Sequence, residues 1–189
     1  MKLTKRIKLF AILAGILFII FCPFAYLSPF KGKVIDAETK KPIEGAAVLV
    51  VYYNNFPTIA GSSISPADAQ EAVTDSHGEF KISWKISWSW FGKLTWFPEA
   101  DVNIFKPGYG VFPKHRRSEA AGDNKSWPSP IKYIVYEIPK LITVREREKN
   151  ITFISKYDRI PYQKRKLYFK AINKERKNLG FSLYPLPID

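Results

Sequence analysis

Two histidines, His77 and His115, are the only imidazoles in a chain of 189 residues, and neither has the company that catalysis requires. Zinc sites take three or four nitrogen, sulfur or oxygen ligands, and neither His-Glu-x-x-His nor His-x-x-Glu spacing occurs. His77 falls in the turn Asp75-Ser76-His77-Gly78, where exposure alone accounts for it. His115 stands beside Lys114, Arg116 and Arg117, whose charges oppose a bound cation and lower the imidazole pKa. Serines are plentiful, but there is no Gly-x-Ser-x-Gly elbow and no glycine-rich phosphate loop. A Ser-His-Asp triad is defined by geometry and not by order, so an unrecognised hydrolase stays open as an alternative. The expectation is a chain without catalytic residues, metal or cofactor.

The residues suited to contact are more distinctive. Trp84, Trp88, Trp90 and Trp96 crowd one stretch, and exposed aromatic patches mark interaction surfaces. The plain alternative is that Phe80, Ile82 and Trp84 fill a core while tail helices cover the later tryptophans. Lys114, Arg116 and Arg117 form a basic cluster, and Lys164 to Lys166 repeat it in the tail. Either group suits a phosphate-rich polymer, although a charge run is usually a solvated face. The candidate contact surface is therefore Trp88, Trp90, Trp96, Lys114, Arg116 and Arg117.

Charge and hydropathy set the organisation. Leu9 to Pro29 carries no charged residue, a length that would span a bilayer core of roughly 30 Å as a helix. Lys2, Lys5, Arg6 and Lys8 precede it, which by the positive-inside bias keeps residues 1–8 in the cytoplasm. The expectation is a signal-anchor helix over 9–29, with a cleaved signal peptide or lipid attachment at Cys22 as alternatives. Cys22 is the single cysteine, so no disulfide supports the remainder. Of the formal net charge of +13, those four cations leave +9 on residues 30–189. Such an excess favours an anionic envelope polymer or lipid headgroups. An exported domain would not meet nucleic acid, the usual partner of this charge in the cytoplasm.

Beyond residue 30 the pattern is of short strands. Lys31 to Asp36 is a brief strand, and Glu38 to Gly45 is rich in turn formers. Ala46 to Tyr53 is a continuous apolar run suited to a buried strand. Asn54 to Gln70 reads as a long loop, followed by a short strand at Glu71 to Thr74. From Phe80 to Trp90 apolar and polar residues alternate strictly, which predicts one strand with one greasy face. Asp101 to Phe105 and Ile131 to Ile138 are further strands, separated by a basic loop from Lys114 to Pro130. Thr143 and Glu146 have capping-box spacing for a helix. A second helix from Pro161 to about Gly180 has Tyr168, Ala171, Ile172, Glu175 and Leu179 on one side, with mostly Lys and Arg elsewhere. An isolated helix of that length is marginal in water, so the tail should fold back and cover at least one of Trp88, Trp90 and Trp96.

Four of these segments together resemble the carboxypeptidase regulatory-like family. Gly32, Val34 and Asp36 fit its G-x-V-x-D strand, and Pro42-Ile43-Glu44-Gly45-Ala46 with Val48 fits P-I-x-G-A-x-V. Thr74-Asp75 with Gly78 and Phe80 fits T-D-x-x-G-x-F, and Lys106 with Gly108-Tyr109 fits K-x-G-Y. The order is correct over Phe30 to about Leu141. The resemblance implies a prealbumin-like β-sandwich of about seven strands that carries no chemistry and serves as a scaffold or binding module.

The expected fold is therefore mainly β: a seven-stranded prealbumin-like sandwich over 30–142, preceded by one transmembrane helix and followed by a short helical basic tail over 143–189. The expected protein is single-pass, with an extracytoplasmic domain that is periplasmic in a Gram-negative cell. It would act as a non-catalytic structural or binding protein of the envelope, its partner an anionic polymer or another envelope protein. The alternative is a subunit of a membrane complex docked through the Trp strand and tail.

Overall fold

Ala46 to Tyr52 is buried at every position, and this strand organises the computed structural model, which describes residues 7–15, 24–58, 61–88, 99–115, 117–118, 133–152 and 160–185. The described elements in chain order are a helix α1 (residues 7–15), β1 (Phe24–Leu27), β2 (Phe30–Asp36), β3 (Ala47–Thr58), β4 (Gly61–Val73), β5 (Glu79–Ile82), β6 (Lys85–Trp88), β7 (Glu99–Phe105), β8 (Arg117–Ser118), β9 (Ile134–Ile138), α2 (Val144–Thr152) and α3 (Lys166–Asn178). A short 3-10 turn, Tyr162–Lys164, precedes α3.

One sheet has the order β5-β2-β9-β8, with β2 and β9 parallel and the other pairs antiparallel. The other has the order β4-β3-β7 and is antiparallel throughout. Their inner faces share one core, in which Val34, Phe80, Ile82 and Tyr136 meet Val48, Val50, Tyr52 and Ile104. Ring contacts cross it: Phe30 lies 6.2 Å from Tyr52, and Phe112 lies edge-on to Tyr136 at 5.0 Å. Strand side chains alternate between faces, so Ala47, Leu49 and Val51 point the other way. There they form a second core with Phe105 of β7 and Ile151, Tyr168 and Ile172 of the helices.

The family-like motifs act at the joints of this frame. Thr74 accepts the Ala46 N–H through Oγ1 at 2.8 Å and donates to the Ile43 carbonyl at 2.7 Å. Asp75 Oδ1 accepts the N–H groups of His77 and Glu79. Gly78 takes φ +74 against the Val34 carbonyl, a position with no room for a Cβ. Asp36 likewise accepts the N–H groups of Glu38 and Thr39.

Several expectations need correction. No helix among the described residues is long and apolar enough to cross a membrane. The uncharged run 9–29 is divided: its first part lies in α1, whereas Phe24–Leu27 is a strand whose backbone pairs with Lys85–Trp88. The transmembrane signal-anchor and the single-pass, N-in localisation built on it are thereby overturned. Absence of charge does not impose helical continuity: in sequence Pro23 and Pro29 bracket Phe24–Leu27, whose partner β6 is extended. Residues 16–23 of the run lie outside the described residues.

The fold class also differs. Among the described residues, seven strands make the two sheets, a β1–β6 ribbon adds two more, and three helices accompany them. The helices α2 and α3 are not an appended tail, because they bring Ile151, Tyr168 and Ile172 into the second core. Asn54 to Gln70 is not a loop but the distal part of a long β3–β4 hairpin, with a bulge at Tyr52/Tyr53. Its described part buries Asn54, Asp68 and Ala69, mostly polar positions that hydropathy periodicity does not mark. Phe80 to Trp90 is not one strand: β5 pairs with β2, and after Ser83-Trp84 the chain resumes as β6 against β1. Phe80 and Ile82 are buried, but Trp84 is 58% exposed.

Replacing Phe80 by Ala should therefore cost about 3–5 kcal/mol, read from urea denaturation midpoints. A loss below about 1 kcal/mol would place its ring outside the core.

Candidate functional site

Helix α3 is fastened to the domain at three points, and these decide which side it presents. At its start, Lys164 forms an ion pair with buried Asp68 of β4. Three residues on, Glu71 of the same strand accepts the Leu167 and Tyr168 N–H groups at 3.0 and 2.8 Å. A helix leaves its first N–H groups without intrahelical partners, so this carboxylate caps α3 from another element. Burial pushes the Glu71 pKa up, while those N–H groups oppose the shift.

Midway, Tyr168 and Ile172 pack on Leu49 and Phe105; the Tyr168 ring lies 6.2 Å from Phe105. Burial pushes the Tyr168 phenol pKa well up. At its end, Glu175 is 2% exposed and takes both Arg147 Nε at 2.6 Å and Arg147 Nη2 at 2.7 Å, locking α3 to α2. Burial alone would raise the Glu175 pKa; Arg147, the Gly108 N–H and Asn178 outweigh it and hold it low. Helix α2 is fixed in turn by Asn150, whose amide joins the Val111 N–H and the Tyr109 carbonyl. Its own start carries the expected capping box between Thr143 and Glu146.

With that face buried, the opposite face is fixed. At 100° per residue, Lys166, Lys170, Lys174 and Lys177 fall within about 80° of one another. Lys170, Lys174 and Lys177 are exposed, and no ion pair involves them among the described residues. The stripe is about 16 Å long at the helical rise. It continues onto the domain at Lys106, whose ammonium donates to the Glu44 carbonyl at 2.6 Å. Burial, and behind it the charge of Lys174, pull the Lys106 pKa down. The charge of Glu44 opposes that shift.

Of the six residues singled out from sequence, only Lys114 has its side chain among the described residues. Trp88 pairs by its backbone with Phe24 in the ribbon. Trp90, Trp96 and Arg116 lie outside the described residues, as do the side chains of Trp88 and Arg117. Arg117 stands opposite Glu137 in the β8–β9 pair, whereas Lys114 donates to the Lys149 carbonyl at 3.1 Å. Of the tail cations first noted, Lys164 is committed to Asp68. The tail does fold back onto the outer face of β3; the side chains of Trp88, Trp90 and Trp96, which it was expected to cover, lie outside the described residues. His115 is half-buried, and burial followed by Lys114 lowers its pKa. No group of three or more metal-ligating side chains occurs among the described residues. The lysine stripe was visible as helical spacing, yet only the buried face shows which side of α3 faces solvent.

No family model and no curated protein matches the chain. Among solved structures, a 9R-lipoxygenase from Cyanothece PCC8801 aligns at a TM-score of 0.26 and 15% identity. That alignment covers 62% of this chain and 16% of the lipoxygenase, a likeness too slight to carry an argument.

Replacing Arg147 by Ala leaves Glu175 buried without its guanidinium and should cost about 3 kcal/mol. Because the folded Glu175 pKa is held below its ordinary value, its contribution is present above pH 4.5 and lost as pH falls through the folded pKa. Glu175→Gln should flatten that acid limb in pH-dependent thermal melts. An unchanged limb would mean that the pair contributes nothing to acid sensitivity.

Proposed function

We propose that this chain is a non-catalytic binding module that holds a phosphate-bearing polymer along the lysine face of α3. The observation that carries the reading is the stripe Lys166, Lys170, Lys174 and Lys177, set rigidly by Asp68, Glu71 and Arg147 on the far side of the helix. A preset row of ammonium groups loses little freedom on binding, which favours a chain of regularly spaced anions. The ordered motifs resembling the carboxypeptidase regulatory-like family support the module half of the reading, since that family supplies scaffolds. Excluding nucleic acid rested on an exported domain, a topology that the divided 9–29 run no longer supports. An oligonucleotide therefore belongs in the test beside polyphosphate.

The combined substitution Lys170→Glu, Lys174→Glu, Lys177→Glu should weaken polyphosphate binding by about tenfold or more, with the melting temperature nearly unchanged. Wild-type binding should fall steeply with salt, because exposed charges are screened. Stronger binding to single-stranded DNA than to polyphosphate would name the polymer. Binding that survives the triple substitution would move the site to the Lys114 and Arg117 region.

A second reading is favoured by Trp84 and Ile86, which stand 58% and 56% exposed. On it, the chain is a subunit of a complex that docks through the β1–β6 ribbon. Trp84→Ser with Ile86→Ser should then abolish co-purification of a defined partner at unchanged stability. A partner retained by that variant would rule this reading out.

A further inference from the structure

Helix α2, the end of α3 and Phe181 line an open cleft of about 340 Å³. That volume is at the lower end of small-molecule pockets, roughly 300–1,000 Å³. Its described lining is Glu148, Lys149, Ile151, Arg176 and Phe181. Ile151 belongs to the second core, whereas Phe181 is 41% exposed and offers an apolar wall open to solvent.

Arg176 is the most organised group there. Its Nε donates to the Ser182 carbonyl at 2.5 Å, and its guanidinium lies 4.2 Å from the Tyr184 ring centroid and 5.7 Å from that of Phe181. Two rings and one hydrogen bond hold the planar fork. Its two terminal nitrogens have no hydrogen-bond partner among the described residues. The segment that carries these rings is fixed as well, by Asn173 bonding both the N–H and the carbonyl of Tyr184. Gly180, at φ +76, turns the chain out of α3 into it.

A pre-aimed guanidinium beside apolar walls is the arrangement that anchors a small anion with a hydrocarbon body. Lys149 and Arg176 against Glu148 leave a net charge of +1 in the lining, which suits a monoanion. A phosphate monoester carries close to two negative charges at neutral pH and would also face Glu148. We propose that this cleft binds a small apolar monocarboxylic acid, its carboxylate on the terminal nitrogens of Arg176 and its hydrocarbon between Ile151 and Phe181. This site is separate from the lysine stripe and does not depend on it.

The test is calorimetric titration of the full chain with 4-phenylbutyrate and, separately, with 4-phenyl-1-butanol, which has the same ring and chain without the charge. The acid should bind about tenfold more tightly than the alcohol. Arg176→Gln should abolish that difference. Because this change also frees the 181–185 segment, its melting curve is recorded first, and the wild-type comparison stands whatever the variant does. Glu148→Gln, which removes the opposing charge and touches no hydrogen bond described above, should tighten the acid and leave the alcohol unchanged. Equal affinity for acid and alcohol in the wild-type chain, or no saturable binding of the acid, would overturn the proposal.

Discussion

Burial of β3 on both faces is the constraint from which the remaining elements follow. A strand of Ala, Val, Leu and Tyr that faced solvent on one side would leave Leu49, Val51 and their neighbours in water. Covering each large apolar side chain is favourable by about 1.5–3 kcal/mol. One face is closed by the β5-β2-β9-β8 sheet and the other by α2 and α3. The three-layered arrangement is thus a consequence of the composition of one strand. So is the position of α3, whose Tyr168 and Ile172 meet the outward face of that strand.

Polar groups then set the registry of layers that the apolar contacts only press together. Thr74, Asp75 and Asp36 each satisfy backbone N–H groups at corners where strands enter or leave, and unsatisfied groups there would be costly. Asp68 and Glu71 do the same between β4 and α3, and Arg147 with Glu175 does so between α2 and α3. The single-domain frame and the lysine surface are therefore connected. The groups that hold the helix inward determine which cations remain outward.

Much of this frame was legible in the sequence, for stated physical reasons. The unbroken apolar run at Ala46 to Tyr53 announced a strand covered on both faces, and the turn motifs marked the corners. The capping box and the apolar side of α3 were visible because helix spacing is local. What stayed hidden depends on pairing between distant segments. In the distal β3–β4 hairpin the buried positions include the polar Asn54 and Asp68, which hydropathy alternation does not record. The division of Phe80 to Trp90 arises because its partner changes from β2 to β1 at Ser28-Pro29, which no property of residues 80–90 records. The run at 9–29 misled for the same reason: its lack of charge fits several conformations, and the pairing of Phe24–Leu27 with β6 selects the extended one. At the candidate site, Lys164 and Lys170 look alike in sequence. Only the position of Asp68 separates the anchored cation from the exposed one.

The central claim is that the helices are part of the fold and not an attachment to it. Near-ultraviolet circular dichroism and thermal melting of the chain ended at residue 142, compared with the full chain, test it most directly. Loss of Tyr168, Ile172 and Ile151 uncovers the outer face of β3, so the shortened chain should lose its cooperative transition and its aromatic ellipticity. A cooperative transition retained within about 5 °C of the full chain, a difference worth on the order of 1 kcal/mol, would contradict the account.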